Sequence, residues 1–166
     1  ARALGVNIDE MMQAACLASS GDETPEGRSI VELGNTLGVS LNGVPQDVVS
    51  VPFTAETRMS GVDAAGEQLR KGATDSVLQW VHSLGLPERR EELKALVDPV
   101  AREGGTPLVV ASSTRGVLGV IQLKDVVKPG MRDRFDRIRA MGIKTVMITG
   151  DNERTAKAIG AQAGVV

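Results

Sequence analysis

The sequence predicts an α+β fold in which helices pack on one side of an antiparallel sheet, followed by a shorter, incomplete α/β segment. Residues 1–124 contain short apolar runs joined by Gly-containing turns, a pattern typical of hairpins, with helical periodicity before and between them. Residues 125–166 alternate between helix, short apolar strand and helix, as in a parallel-sheet domain. We therefore predict two domains, residues 1–124 and residues 125–166.

Two helices are expected before the first strand. Asp9 is placed to cap the first helix, whose apolar residues run from Met11 to Ala18. Pro25 suits the first turn of the second helix, and Gly38 is placed to end it.

Three strands follow these helices. Residues 48–53 are rich in valine and form the first strand. Residues 59–63 and 67–71 are expected to pair as a hairpin across the turn at 64–66.

Two more helices and a second hairpin complete the first domain. Asp75 is placed to cap a helix that ends at Gly85, and a further helix over 87–102 ends before Gly104. The apolar runs on either side of residues 112–116 predict the second hairpin.

The last forty residues predict a helix from Met131 to Met141 that ends at Gly142. Residues 144–148 follow as a short apolar strand, and another helix runs through Ala156, Ile159 and Ala163.

The composition argues against several classes of function. A net charge of −2 and three aromatic side chains (two Phe, one Trp) are not typical of a nucleic-acid-binding protein. A single cysteine cannot form an intramolecular disulfide, and one cysteine with one histidine cannot form a zinc site built on those residue types. No apolar run is long enough to span a membrane. The missing initiator Met suggests either a piece of a longer chain or processing of the N-terminus.

A short motif, Thr149-Gly150-Asp151, lies where the predicted strand meets a helix N-terminus. Such a turn offers free backbone N–H groups to a phosphoryl group, and glycine allows close approach. The alternative is that Asp151 merely caps the helix.

The stretch around this motif, residues 141–152, resembles P-type ATPases, in which the threonine, glycine and aspartate help to bind the phosphoryl group. Residues 119–125 resemble the segment where the chain of those proteins re-enters the phosphorylation domain. The resemblance therefore implies that Asp125 belongs to a hinge near the nucleotide.

Three further stretches resemble the nucleotide-binding domain of the same family. They are Asp-Glu-Thr-Pro-Glu-Gly-Arg-Ser-Ile at 22–30, Phe-Thr-Ala-Glu-Thr-Arg-Met-Ser-Gly at 53–61 and Arg-Lys-Gly-Ala at 70–73. The first is most similar to the Kdp-type potassium pumps of the family.

The resemblance implies a nucleotide-binding domain over 1–124 and part of a phosphorylation domain, haloacid dehalogenase-like in fold, over 125–166. It implies that the chain binds ATP within a potassium-transporting pump, with Mg²⁺ required by the full-length pump and other pump subunits as partners. The location implied is the cytoplasmic side of a bacterial inner membrane. The family's nucleophile lies in an Asp-Lys-Thr-Gly-Thr motif that is absent here, so we expect no ATP hydrolysis by this chain alone.

The site residues follow from the resemblance. The nucleotide-binding candidates are Asp22, Glu26, Phe53, Thr54, Ala55, Glu56, Thr57, Arg58, Met59, Ser60, Lys71 and Gly72. The phosphoryl-binding and hinge candidates are Asp125, Thr149, Gly150 and Asp151.

The chemistry of two of these side chains suits adenine. Phe53 can stack on the base, although a phenylalanine at this position can also be an ordinary core residue. Lys71 can place a positive charge against the base or a phosphate, although a lysine at the end of a hairpin is usually solvated.

The polar candidates suit the rest of a nucleotide. Arg58 and Ser60 can contact phosphate or sugar. Asp22 and Glu26 can accept hydrogen bonds from the adenine amino group or the ribose, or can instead cap the helix that begins near Pro25.

Three alternatives compete with this interpretation, and the sequence argues against two of them. Heavy-metal pumps of the family carry a His-Pro pair, whereas His82 is followed by Ser83. A non-enzymatic binding module would not respond to ATP. A haloacid dehalogenase-like phosphatase requires a nucleophilic aspartate motif that this chain lacks.

Overall fold

A six-stranded antiparallel sheet organises the computed structural model, which describes residues 1–40, 47–64, 66–124, 130–148, 157, 159–161 and 163–165. The strands are β1 (Arg2–Ala3), β2 (Val48–Val51), β3 (Met59–Ala64), β4 (Glu67–Gly72), β5 (Thr106–Ser112) and β6 (Gly116–Leu123). The helices are α1 (Ile8–Ala18), α2 (Pro25–Thr36), α3 (Thr74–Ser83), α4 (Arg90–Arg102) and α5 (Met131–Ala140). The strand order is β1-β6-β5-β4-β3-β2, which confirms the predicted antiparallel sheet and adds β1 to its edge.

Helices pack on both faces of the sheet, so the expectation that they lie on one side is wrong. On one face, α1 and α2 bury Met11, Met12 and Ile30 against strand residues that include Val110. On the other face, α3 and α4 cover a second cluster that includes Val109. Val109 and Val110 are adjacent and both fully buried, which is expected of a strand covered on both sides.

The register decides which face each residue of β4 occupies. Lys71 pairs with Ser60 of β3 and Val110 of β5, so all three point to the α1/α2 face. Its neighbour Arg70 points to the opposite face, where its guanidinium lies 5.5 Å from the Trp80 ring centroid. The side chains of these two adjacent basic residues therefore lie on opposite faces of the sheet.

The predicted capping residues differ from those of the structure at two helices. The α1 N-cap is Asn7, whose side chain accepts the Glu10 N–H at 2.8 Å, while Asp9 lies in the first turn. At α3 the N-cap is Ala73 and Asp75 again lies in the first turn. An aspartate in the first turn also interacts favourably with the helix dipole. The sequence alone therefore does not distinguish a first-turn aspartate from an N-cap aspartate.

The glycine stops are confirmed. Gly38, Gly85 and Gly104 all have φ near +72°, at 72°, 71° and 73°. Glycine adopts this left-handed conformation without the steric cost that other residues carry.

The second segment forms its predicted helix but not its predicted strand. α5 ends before Gly142, as expected, and residues 157, 159–161 and 163 are helical. Residues 143–148 have no regular secondary structure, and Val146 and Ile148 are 80% and 93% exposed. A strand requires a hydrogen-bonded neighbour, and none of the described residues pairs with this segment.

No helix of the described ranges has the length and apolar character needed to cross a membrane.

Candidate functional site

A pocket of about 570 Å³ opens at one end of the sheet, beside the first turn of α2. Its lining residues are Asp22, Thr24, Glu26, Phe53, Arg58, Ser60, Lys71, Gly72, Ala73, Thr74, Asp75, Thr106, Pro107, Leu108 and Leu123. The volume lies within the range of small-ligand sites. The pocket brings together residues from all three stretches that predict nucleotide binding, at 22–30, 53–61 and 70–73.

The floor of the pocket results from strands of unequal extent. Gly72, the last residue of β4, pairs with Val109 of β5. The earlier residues of β5, from Thr106 to Leu108, therefore extend past the end of β4. Their side chains and Leu123 complete a largely apolar floor.

Phe53 presents its ring to solvent at the edge of this pocket. It lies two residues after the end of β2 and is 61% exposed. The alternative that Phe53 is a core residue is therefore wrong. An aromatic face left open beside an apolar floor can stack on a flat ligand.

Lys71 is buried, contrary to the alternative of a solvated lysine at a hairpin end. It is only 3% exposed, and its ammonium forms an ion pair with Asp22, which precedes α2. The two residues are far apart in the sequence, so no local pattern indicates this contact. The pair places a compensated positive charge at the pocket wall.

The carboxylate of Asp22 is held by both of its oxygens. Oδ2 is paired with the Lys71 ammonium, and Oδ1 accepts the backbone N–H of Thr24 at 3.0 Å. Burial raises the pKa of Asp22, but the hydrogen bonds from Lys71 and Thr24 outweigh burial and hold that pKa below its ordinary value. Gly27 makes room for this arrangement, because a Cβ there would overlap Asp22.

The cap of α2 is Thr24, so neither Asp22 nor Glu26 performs that role. Thr24 Oγ1 accepts the Gly27 N–H at 3.1 Å. Glu26 lies in the first turn, exposed, where its charge complements the helix dipole. Glu26 also lines a second cavity of about 590 Å³ that adjoins the pocket and shares Thr106 and Leu123 with it.

The loop between β2 and β3 is fastened to the end of β4. The Arg58 N–H donates to the Thr54 carbonyl at 2.8 Å, and the Arg58 carbonyl accepts the Ala73 N–H at 3.1 Å. Gly72 is required beside this loop, because a Cβ there would overlap the Arg58 carbonyl oxygen. The glycine thus lets the loop and the strand end meet at the pocket rim.

The structure brings most of the predicted candidates to the pocket. Those that line it are Asp22, Glu26, Phe53, Arg58, Ser60, Lys71 and Gly72. Those that do not are Thr54, Ala55, Glu56 and Thr57, which are exposed in the loop, and Met59, whose side chain packs with the α3/α4 cluster. The candidates Asp125, Thr149, Gly150 and Asp151 lie outside the described residues.

Sequence reasoning missed several lining residues. They are Thr24, Ala73, Thr74, Asp75, Thr106, Pro107, Leu108 and Leu123. Pro107 and Leu108 have the composition of any strand start, and only the offset between β4 and β5 exposes them. Ala73 to Asp75 could have been predicted, because they directly follow Lys71 and Gly72 in the sequence.

The described residues offer no cluster of three or more His, Cys, Asp or Glu side chains able to hold a metal ion. Among the acidic residues of the pocket, Asp22 already forms an ion pair with Lys71.

The fold is shared with P-type ATPases of known structure. A zinc-transporting PIB-type ATPase in the E2.Pi state matches with a TM-score of 0.64 and 20% identity, over 99% of this chain and 25% of that one. The N-domain of HMA8, a copper-transporting P-type ATPase, matches with a TM-score of 0.55 and 14% identity, over 74% of this chain and 94% of that one.

The sequence is similar to curated ATP-binding subunits of potassium-transporting ATPases. The subunit of Rhizobium meliloti is 57% identical over 97% of this chain, and that of Xanthomonas campestris is 52% identical over 97%. The chain spans 23% of the length of each relative. The resemblance predicted from the motifs is thus confirmed along nearly the whole chain.

A family-level comparison covers the same extent. The sequence model of the haloacid dehalogenase-like hydrolases matches residues 5–166. The chain therefore belongs to the haloacid dehalogenase-like hydrolase family.

Proposed function

We propose that this chain binds ATP, as the nucleotide-binding part of a P-type ATPase that energises potassium uptake. The observation that carries the proposal is the pocket itself, where the exposed ring of Phe53 and the buried, ion-paired Lys71 line one cavity beside an apolar floor. The relatives named as potassium-transporting ATPase ATP-binding subunits support the choice of ligand and of cation. Their identity of 57% and 52% favours potassium over the zinc and copper pumps, which are 20% and 14% identical.

In this proposal the adenine is the main anchor. The base stacks on Phe53, and Lys71 supplies a cation beside the ring. Leu108 and Pro107 remove the base from water. Arg58, exposed at the rim, is placed to contact the sugar or a phosphate.

The proposal assigns residues 1–124 to a nucleotide-binding domain and residues 125–166 to part of a phosphorylation domain. It places both on the cytoplasmic side of a bacterial inner membrane, with the other pump subunits as partners. Mg²⁺ belongs to the complete pump in this proposal.

We expect ATP and ADP to bind with affinities within about tenfold of each other, or about 1.4 kcal/mol. The reason is that the proposed contacts reach the base and the sugar, while none of the described residues that line the pocket is assigned to the terminal phosphate. Isothermal titration calorimetry with both nucleotides measures the ratio. A preference for ATP well above tenfold would require a γ-phosphate site in this chain.

We expect the isolated chain to release no phosphate from ATP above background. Phosphoryl transfer in this family requires a carboxylate nucleophile in an Asp-Lys-Thr-Gly-Thr motif, which this chain does not contain. A coupled phosphate assay on repurified protein measures the release. Sustained turnover that a Lys71→Ala variant abolishes would contradict the expectation.

A further inference from the structure

Asp22 is the counterion of Lys71, and its geometry distinguishes that role from direct contact with a ligand. One carboxylate oxygen is paired with the Lys71 ammonium, and the other accepts the Thr24 N–H at 3.0 Å. Both oxygens are therefore engaged by the protein. Asp22 lines the pocket, but its side chain is only 15% exposed and each carboxylate oxygen already has a partner within the protein.

Hydrogen bonds hold the elements on both sides of the ion pair in place. Thr24 also caps α2 through the Gly27 N–H, so the turn that carries Asp22 is fastened to the helix. A Cβ at position 27 would overlap Asp22, so the first turn of α2 packs closely against this residue. On the strand side, Lys71 lies within β4, where it pairs with Ser60 and Val110.

The lysine side chain needs such an anchor. Four rotatable bonds separate its ammonium from the backbone, and a buried ammonium without a counterion carries a large desolvation cost. Without Asp22, the free energy of the ammonium is lowered when it turns towards water, and it would leave the pocket wall. The ion pair thus keeps the charge where a bound base would meet it.

We infer that Asp22 is a positioning residue, which acts on the nucleotide only through Lys71 and does not itself bind the base or the ribose. This inference rests on the proposed function, because it concerns the same pocket. It replaces the expectation that Asp22 accepts a hydrogen bond from the ligand.

A double-mutant cycle tests the inference with ATP and with adenosine. Adenosine is uncharged, so its affinity does not respond to the change in the protein's net charge that the substitutions cause. The variants are Asp22→Asn, Lys71→Met and the double variant, titrated as the full chain and followed by NMR. We expect each single variant to weaken both ligands by about threefold to tenfold. In the Lys71→Met background, Asp22→Asn should weaken neither ligand by more than about twofold, because residues that act as a unit are not additive.

Glu23→Gln is the matched control, since it removes one negative charge from the same loop outside the pocket lining. It should leave both affinities unchanged. If Asp22→Asn weakens binding equally with and without Lys71, Asp22 contacts the ligand itself and the inference is wrong while the proposed function stands. If the parent chain binds neither ATP nor adenosine, the proposed function fails instead.

A measurement on the parent chain covers the case in which a variant does not fold. The ammonium ¹H–¹⁵N signal of Lys71 should be observable, because an ion-paired and buried ammonium exchanges slowly with water. It should also correlate with the Asp22 carboxylate. An ammonium that exchanges as fast as those of exposed lysines would overturn the inference.

Discussion

Phe53→Ala is expected to weaken ATP binding by about tenfold or more while leaving thermal stability nearly unchanged. Stacking of a base on an aromatic side chain contributes roughly 1–3 kcal/mol in nucleic-acid-binding proteins. Phe53 is 61% exposed, so removal of its ring creates no core cavity. The outcome is measured by calorimetric titration and thermal melting of the same sample.

Val49→Ala is the control for Phe53→Ala. Val49 is also exposed, at 68%, and lies on β2 without lining the pocket. It should change neither affinity nor melting. A Phe53→Ala variant that binds ATP as well as the parent would show that Phe53 does not stack on the adenine.

Lys71→Ala is expected to lower both stability and ATP affinity. The substitution leaves the Asp22 carboxylate, 15% exposed, without its counterion. An unsatisfied buried polar group costs about 1–3 kcal/mol, which corresponds to several degrees in the melting temperature at this chain length. Melting curves and ATP titrations measure the two effects separately.

Lys94→Ala, on an exposed position of α4, is the matched control and should melt like the parent, since surface substitutions rarely change stability by much. A Lys71→Ala variant that also melts like the parent would contradict the buried ion pair. One that melts lower but binds ATP normally would place Lys71 outside the nucleotide site.

Much of the fold follows from local sequence signals. The hairpins and the glycine stops are encoded within a few residues, and Gly38, Gly85 and Gly104 end their helices as predicted. The helices on the second face of the sheet were harder to predict. Their only local signal is that Val109 and Val110 are apolar in succession, whereas a strand covered on one face alternates apolar and polar residues. The strand predicted at 144–148 fails because apolar composition cannot supply a pairing partner.

The site was predictable where its residues lie in contiguous stretches and not where distant segments meet. The resemblance at 53–61 and 70–73 identifies Phe53, Ser60 and Lys71, all of which line the pocket. It also includes Thr54 to Thr57, which are exposed and do not line the pocket. The burial of Lys71 by Asp22 is a long-range contact that no local pattern contains.

An ATP titration followed by two-dimensional ¹H–¹⁵N NMR tests the central claim most directly. The account predicts that the largest shift changes fall on the amides of the pocket, at Phe53, Ser60, Lys71, Gly72 and Leu108, with α4 and α5 unaffected. Shift changes that cluster away from these residues, or no change at saturating ATP, would contradict the assignment of this pocket to the nucleotide.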